Sequence, residues 1–283
     1  MFNATLQRSV LEFAALMLPL TEKDLERSWK WKDHEQEGIR FAFFVTLQEL
    51  RHLAVTLSTL QLRKPTPAQH ILRQYHASYW DLQAAVFGVS NEDAERPPAE
   101  GEWPVKRTYA HMLGAEFNFS LTIRYALEKH RAGTWTPDKM SDEEADRLVG
   151  ISDDAYLALV NGPLDAMIAY HRDLHVRIIQ EFSTITDAEL SLPSTMWEET
   201  RFPIQHRLHR YEAHFTQHTV QIDKTLAAIG LAASEPKQLL RRIFAALAEV
   251  EGTMIDKEKM DDAAILAAAS SITEHTNEIQ RLL

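Results

Sequence analysis

The chain has 283 residues, 45% of them apolar, which is enough to bury a full core and excludes a disordered protein. Its 41 acidic and 30 basic side chains give a formal charge of −11, with no Lys/Arg cluster, so neither nucleic acid nor an anionic membrane surface is an expected partner. There is no cysteine, which excludes disulfides, thiolate ligands and a cysteine nucleophile.

The opening Met-Phe-Asn-Ala-Thr-Leu-Gln lacks the basic and apolar regions of a signal peptide. No stretch approaches the ~20 apolar residues that span a bilayer. A cytoplasmic protein is expected.

Apolar residues recur three and four apart along most of the chain, the helical period, and only nine glycines interrupt it. The pattern predicts eight helices, over 3–18, 38–60, 66–88, 104–131, 156–182, 203–229, 235–251 and 261–282. Their boundaries are marked by Pro65 and Pro67, Pro97 and Pro98, Pro104, Gly162-Pro163, Pro193, Pro203 and Gly230. The polar, acidic stretch 133–154 reads as a long connection with a short helix at 142–148. The expected fold class is all-α.

Several segments echo one another. The run from Leu20 to Arg27 (LTEKDLER) resembles Val89 to Arg96 (VSNEDAER), and Ile185 to Leu190 (ITDAEL) is a shorter copy. Thr273-Glu-His-Thr-Asn-Glu-Ile279 echoes Thr216-Gln-His-Thr-Val-Gln-Ile222. Two explanations stand side by side: duplication of a helix pair, or the compositional likeness of amphipathic helices.

Thirteen histidines call for a geometric filter. A metal needs imidazoles converging from rigid elements, and two on one helix share a face only when three or four apart. Helix 203–229 has four. At about 100° per residue, His214 and His218 lie on the shoulder of the stripe Ile204, Leu208, Tyr211, Phe215, Ile222 and Leu226, while His206 and His209 point away into solvent. Helix 104–131 places His111 beside Val105, Tyr109, Met112, Phe119 and Ile123, with small neighbours Thr108 and Ala115. Helix 156–182 offers a rival pair, His171 and His175, among Leu164, Met167, Ile168, Ile178 and Phe182. A single inward histidine is usually a satisfied core residue, but a buried imidazole needs a partner, and a shared ion satisfies several. Periodicity leaves both pairs in contention.

The run from Glu102 and Trp103 through His111 to Glu116 resembles the second helix of the DinB/YfiT-like superfamily. The run from Leu208 through His214 and His218 to Ile222, ending at Gly230, is similar to its fourth helix. The resemblance covers about 65–230. It implies an up-down four-helix bundle in which His111, His214 and His218 hold a divalent ion (Zn, Ni, Fe or Mn). On that reading His171 and His175 lie on the third helix, near the site or in the core.

The flanking segments 1–64 and 231–283 are then accessory helices that could form a second, degenerate bundle. There His275 answers to His218, but Ser271 stands where His214 would, and Ala42 to Thr46 supplies neither histidine nor carboxylate. Such a half would be structural, and covering a dimerisation face would favour a monomer over a homodimer.

Three neutral nitrogens leave coordination positions open, as in a catalytic centre. The resemblance implies a thiol-dependent S-transferase, with a low-molecular-weight thiol as cosubstrate and a small electrophile as substrate. Hydrolysis by metal-activated water is the enzymatic alternative, and a binding or scaffold protein with a vestigial site is the non-enzymatic one. Glu116 and Tyr211 are possible pocket groups, the first otherwise a solvated glutamate and the second otherwise core. No general base is assigned.

Overall fold

The computed structural model describes residues 2–60, 64–196, 200–255 and 261–283. In chain order these form α1 (Ala4–Met17), α2 (Glu22–Leu25), β1 (Ser28–Trp29), β2 (Glu37–Gly38), α3 (Phe41–Thr59), α4 (Pro67–Val86), α5 (Asn91–Glu95) and α6 (Val105–Arg131). There follow α7 (Asp142–Val149), α8 (Asp153–Asn161), α9 (Leu164–Phe182), α10 (Asp187–Leu190), β3 (Pro193–Ser194), β4 (Phe202–Pro203), α11 (Ile204–Ala228), α12 (Glu235–Gly252) and α13 (Asp262–Leu282). The fold is all-α. Among the described residues no helix is long and apolar enough to cross a membrane.

Two compact units emerge: residues 1–64, 83–88 and 233–283, and residues 65–82 and 89–232. In the first, α1 packs on α13 and α3 on α12, around Phe13, Phe43, Phe244 and Ile272, each at most 1% exposed. In the second, α6 packs against both α11 and α9. Tyr75 of α4 joins them, its ring centroid 4.6 Å from that of Tyr211 and 5.5 Å from that of Phe215. Burying each such large side chain contributes ~1.5–3 kcal/mol.

The predicted helix over 156–182 is in fact two, α8 and α9. Pro163 has no N–H to give and restricts the residue before it, and Gly162 is extended at φ −72°, ψ −175°. The predicted helix from 38 starts instead at Phe41, because Glu37 and Gly38 pair with Trp29 and Ser28. The two-residue strand pairs β1–β2 and β3–β4 have no counterpart in the periodicity, being too short to alternate.

The three echoing segments share a local cause. Thr21, Ser90 and Thr186 are the N-caps of α2, α5 and α10, and each side chain accepts the backbone N–H three residues on. At Thr21 and Thr186 the acid at that third position, Asp24 or Glu189, returns a bond to the cap backbone, completing a capping box. The common motif is therefore a one-turn helix start.

Gly88 ends the α4 region with φ +75°, and a Cβ there would collide with the Leu18 side chain. Gly88→Ala should lower the urea midpoint of the first unit, at a cost of about 1–3 kcal/mol for the left-handed conformation alone.

Candidate metal centre

Pro104 and Pro203 lead into α6 and α11, their missing N–H groups harmless at a helix start. The apolar stripes then dictate which faces meet. Val105, Tyr109, Met112, Phe119 and Ile123 are buried on α6, as are Ile204, Leu208, Tyr211, Phe215, Ile222 and Leu226 on α11. The pairing is antiparallel. His111 faces His214 and His218, with ring centroids at 5.1 and 4.8 Å, whereas Phe119, two turns on, faces Tyr211 and His214 at 5.6 and 5.7 Å.

That pairing brings His111, His214 and His218 together, with one ring nitrogen from each within 4.8 Å of the others. Among the described residues no other group of three histidines or carboxylates converges in this way. Burial deepens across the three: His111 is exposed, His214 half-buried and His218 buried. The cluster therefore opens to solvent on the His111 side, where the Trp103 ring lies 5.4 Å from the imidazole and is itself covered by the Arg107 guanidinium at 4.6 Å.

The residues present suit a cation. Gln221 Oε1 accepts from His218 Nδ1 at 2.8 Å, which places the proton on Nδ1 and the lone pair on Nε2, toward the other rings. His214 Nδ1 is buried without a hydrogen-bond partner. Burial, then repulsion from neighbouring imidazoles, holds His111 below its usual value and His214 down to about 4, the latter aided by Arg210. Both rings are neutral at pH 7, the form that ligates.

The rival histidines lie elsewhere. His171 and His175 are fully buried on α9 and grouped around Glu116, outside the triad. Glu116 is accordingly neither a pocket group nor a solvated glutamate: it is 0% exposed. Tyr211 is core, also 0% exposed. His209 is exposed, but His206, expected in solvent, stacks on Phe202 at 4.2 Å and is only half-exposed. The Glu116 cluster was missed by the sequence reading. The four-residue spacing of His171 and His175 marked their face but not the carboxylate on another helix.

A family model described as the DinB superfamily matches residues 74–222, just over half of the chain. The chain belongs to the DinB superfamily. Comparison with curated proteins and with solved structures returned no match. The matched span contains all three histidines of the triad and the whole Glu116 cluster.

In the other unit, the residues that the sequence echo sets against the triad make protein hydrogen bonds. Thr46 donates to the Ala42 carbonyl at 2.9 Å, so its oxygen accepts from His275 Nε2, also at 2.9 Å. Ser271 donates to Glu49 Oε1, and Phe13, Trp29 and Trp31 surround the His275 ring at 5.4, 6.2 and 5.2 Å. Burial, with a smaller contribution from Lys32, pushes His275 from 6.5 down to about 4.

Between those two values the unfolded chain holds a proton on His275 that the folded chain lacks. Stability of that unit should be complete above pH 6.5, fall as the pH drops from 6.5 to about 4, and level off below. The loss attributable to this residue is at most about 3 kcal/mol. His275→Gln keeps a donor for Thr46 without the titration. Urea unfolding at pH 4.5 and pH 7 should show a smaller pH difference in the variant than in the parent chain.

Proposed function

We propose that the chain is a metal-dependent enzyme that transfers a low-molecular-weight thiol to a small electrophile, with His111, His214 and His218 as ligands. The observation behind this reading is a cluster of three imidazoles, two held neutral by burial, closed on the His218 side and open at His111. Membership of the DinB superfamily supports it. A bound divalent ion would supply Lewis acidity, lowering the pKa of an incoming thiol or water enough to yield a nucleophile near neutral pH.

The chain's own residues do the rest. Gln221 orients the His218 ring, and the aromatic packing of Phe119 against His214 fixes that ring's pose. Trp103 and Arg107 form the rim on the open side, where a substrate would enter. With no cysteine in the chain, the sulfur must come from a cosubstrate. It would form a bond to carbon as the electrophile's leaving group departs.

Elemental analysis of the purified protein should find near one equivalent of Zn, Ni, Fe or Mn. His214→Ala and His218→Ala should lose it, and His206→Ala should keep it. Thiol consumption with model electrophiles should fall to the background rate in the first two variants. A protein that neither contains nor takes up a divalent ion would overturn the proposal. Metal-dependent ester or amide cleavage without thiol consumption would replace transfer by hydrolysis.

A further inference from the structure

Glu116 poses a physical problem that the triad does not solve. Its carboxylate is 0% exposed in the core of the second unit. The Tyr75 hydroxyl donates to Oε1, His171 Nε2 stands 2.5 Å from Oε2, and His175 Nδ1 stands 3.6 Å from Oε1. Each imidazole is held from behind: His171 Nδ1 bonds the Tyr109 hydroxyl at 2.7 Å, and His175 Nε2 bonds His76 Nδ1 at 2.9 Å. The His175 ring also lies flat against Tyr79, with centroids 3.9 Å apart. Burial pushes the Glu116 carboxyl up, but the attraction and hydrogen bonding of His171 and His175 outweigh it and hold the group below its usual value. Burial drives His175 down to about 3, so that ring is neutral.

The core therefore contains a dehydrated carboxylate oriented by polar groups from α4 and α9. The attraction of His171, 2.5 Å from Oε2, offsets part of the cost of burying this charge, and a further opposite charge in the same low-dielectric interior would offset more. The triad is where such a charge would reside. His111 and Glu116 lie on one helix five positions apart, about 7.5 Å along its axis. A run of ring contacts links Glu116 to the triad: Tyr75, bonded to Glu116, meets Tyr211, Tyr211 meets Phe119, and Phe119 meets His214. Aromatic packing of this kind excludes the water that would screen the interaction.

The geometry points to Glu116 as the buried counter-charge of the ion at His111, His214 and His218: a positioning residue that strengthens cation binding from outside the ligand set. This rests on the metal-dependent reading of the triad. The Tyr75, His76, His171 and His175 side chains then serve to keep the carboxylate ionised and fixed.

Glu116→Gln removes the charge and keeps an acceptor for Tyr75. Competitive titration of the metal-free variant with Zn(II) should give an affinity weaker by roughly 10- to 100-fold, the scale for charges at such separations in a medium of intermediate dielectric. Glu116→Asp, which keeps the charge, should bind within a few-fold of the parent. The Co(II) absorption spectrum should be the same in all three, since the ligands are unchanged. Should the Gln variant not fold, the double variant Glu116→Met with His171→Leu gives the same measurement, because replacing both members of a buried ion pair by apolar residues is often tolerated. Equal affinity in parent and Gln variant, or equal weakening in Gln and Asp, would overturn the inference. A parent chain that binds no ion would instead overturn the metal reading beneath it.

Discussion

The antiparallel contact between α6 and α11 is the arrangement on which the rest of the four-helix unit depends. Helical periodicity turns the apolar stripes of both helices into one interface, and the phase of that interface decides what each polar residue meets. His111 lies at the edge of the α6 stripe and so comes up beside His214 and His218 at the solvent boundary. Glu116, five residues on, is rotated off that edge into the centre of the bundle. One helix thus delivers a histidine of the triad to the surface and a carboxylate to the core. A change of register by one residue would move both.

Buried polar groups must find partners, and the two units meet that demand differently. Around Glu116, tyrosines and histidines from α4, α6 and α9 form a closed set of polar contacts. Around His275, Thr46 meets only Nε2 within an aromatic cage, and Nδ1 is buried without a hydrogen bond. Among the described residues, the triad brings three imidazoles together with no hydrogen bond between the rings. The three rings lie 4.4 to 5.1 Å apart, and a shared cation would supply the polar contact that they lack.

Much of the helical fold was legible in the sequence, because proline positions and a 3.6-residue period are local properties. The break at Gly162-Pro163 is equally local and marks a boundary, yet the helix expected over 156–182 runs across it because the amphipathic pattern continues on both sides. The short strand pairs were not legible, since two residues per strand leave no alternation to detect. At the triad, helix phase placed His214 and His218 on an inward shoulder, but the choice between them and His171 with His175 came from a family resemblance. Phase alone could not make it. Both pairs do face inward, and what separates them is the third residue each meets: a histidine for one pair and a glutamate for the other.

That difference has a chemical consequence. Three imidazoles without a carboxylate bring no charge to the ion they would hold, so the full cationic charge remains available to polarise whatever enters beside His111. A carboxylate ligand would have neutralised part of it and reduced its acidity toward a thiol or water. Glu116 places a negative charge in the same interior without occupying a coordination position. On the reading proposed above, its field would favour retention of a cation held by neutral ligands. A buried carboxylate oriented by Tyr75, His171 and His175 is thus compatible with strong binding and an acidic centre together, which direct ligation by the same group would set against each other.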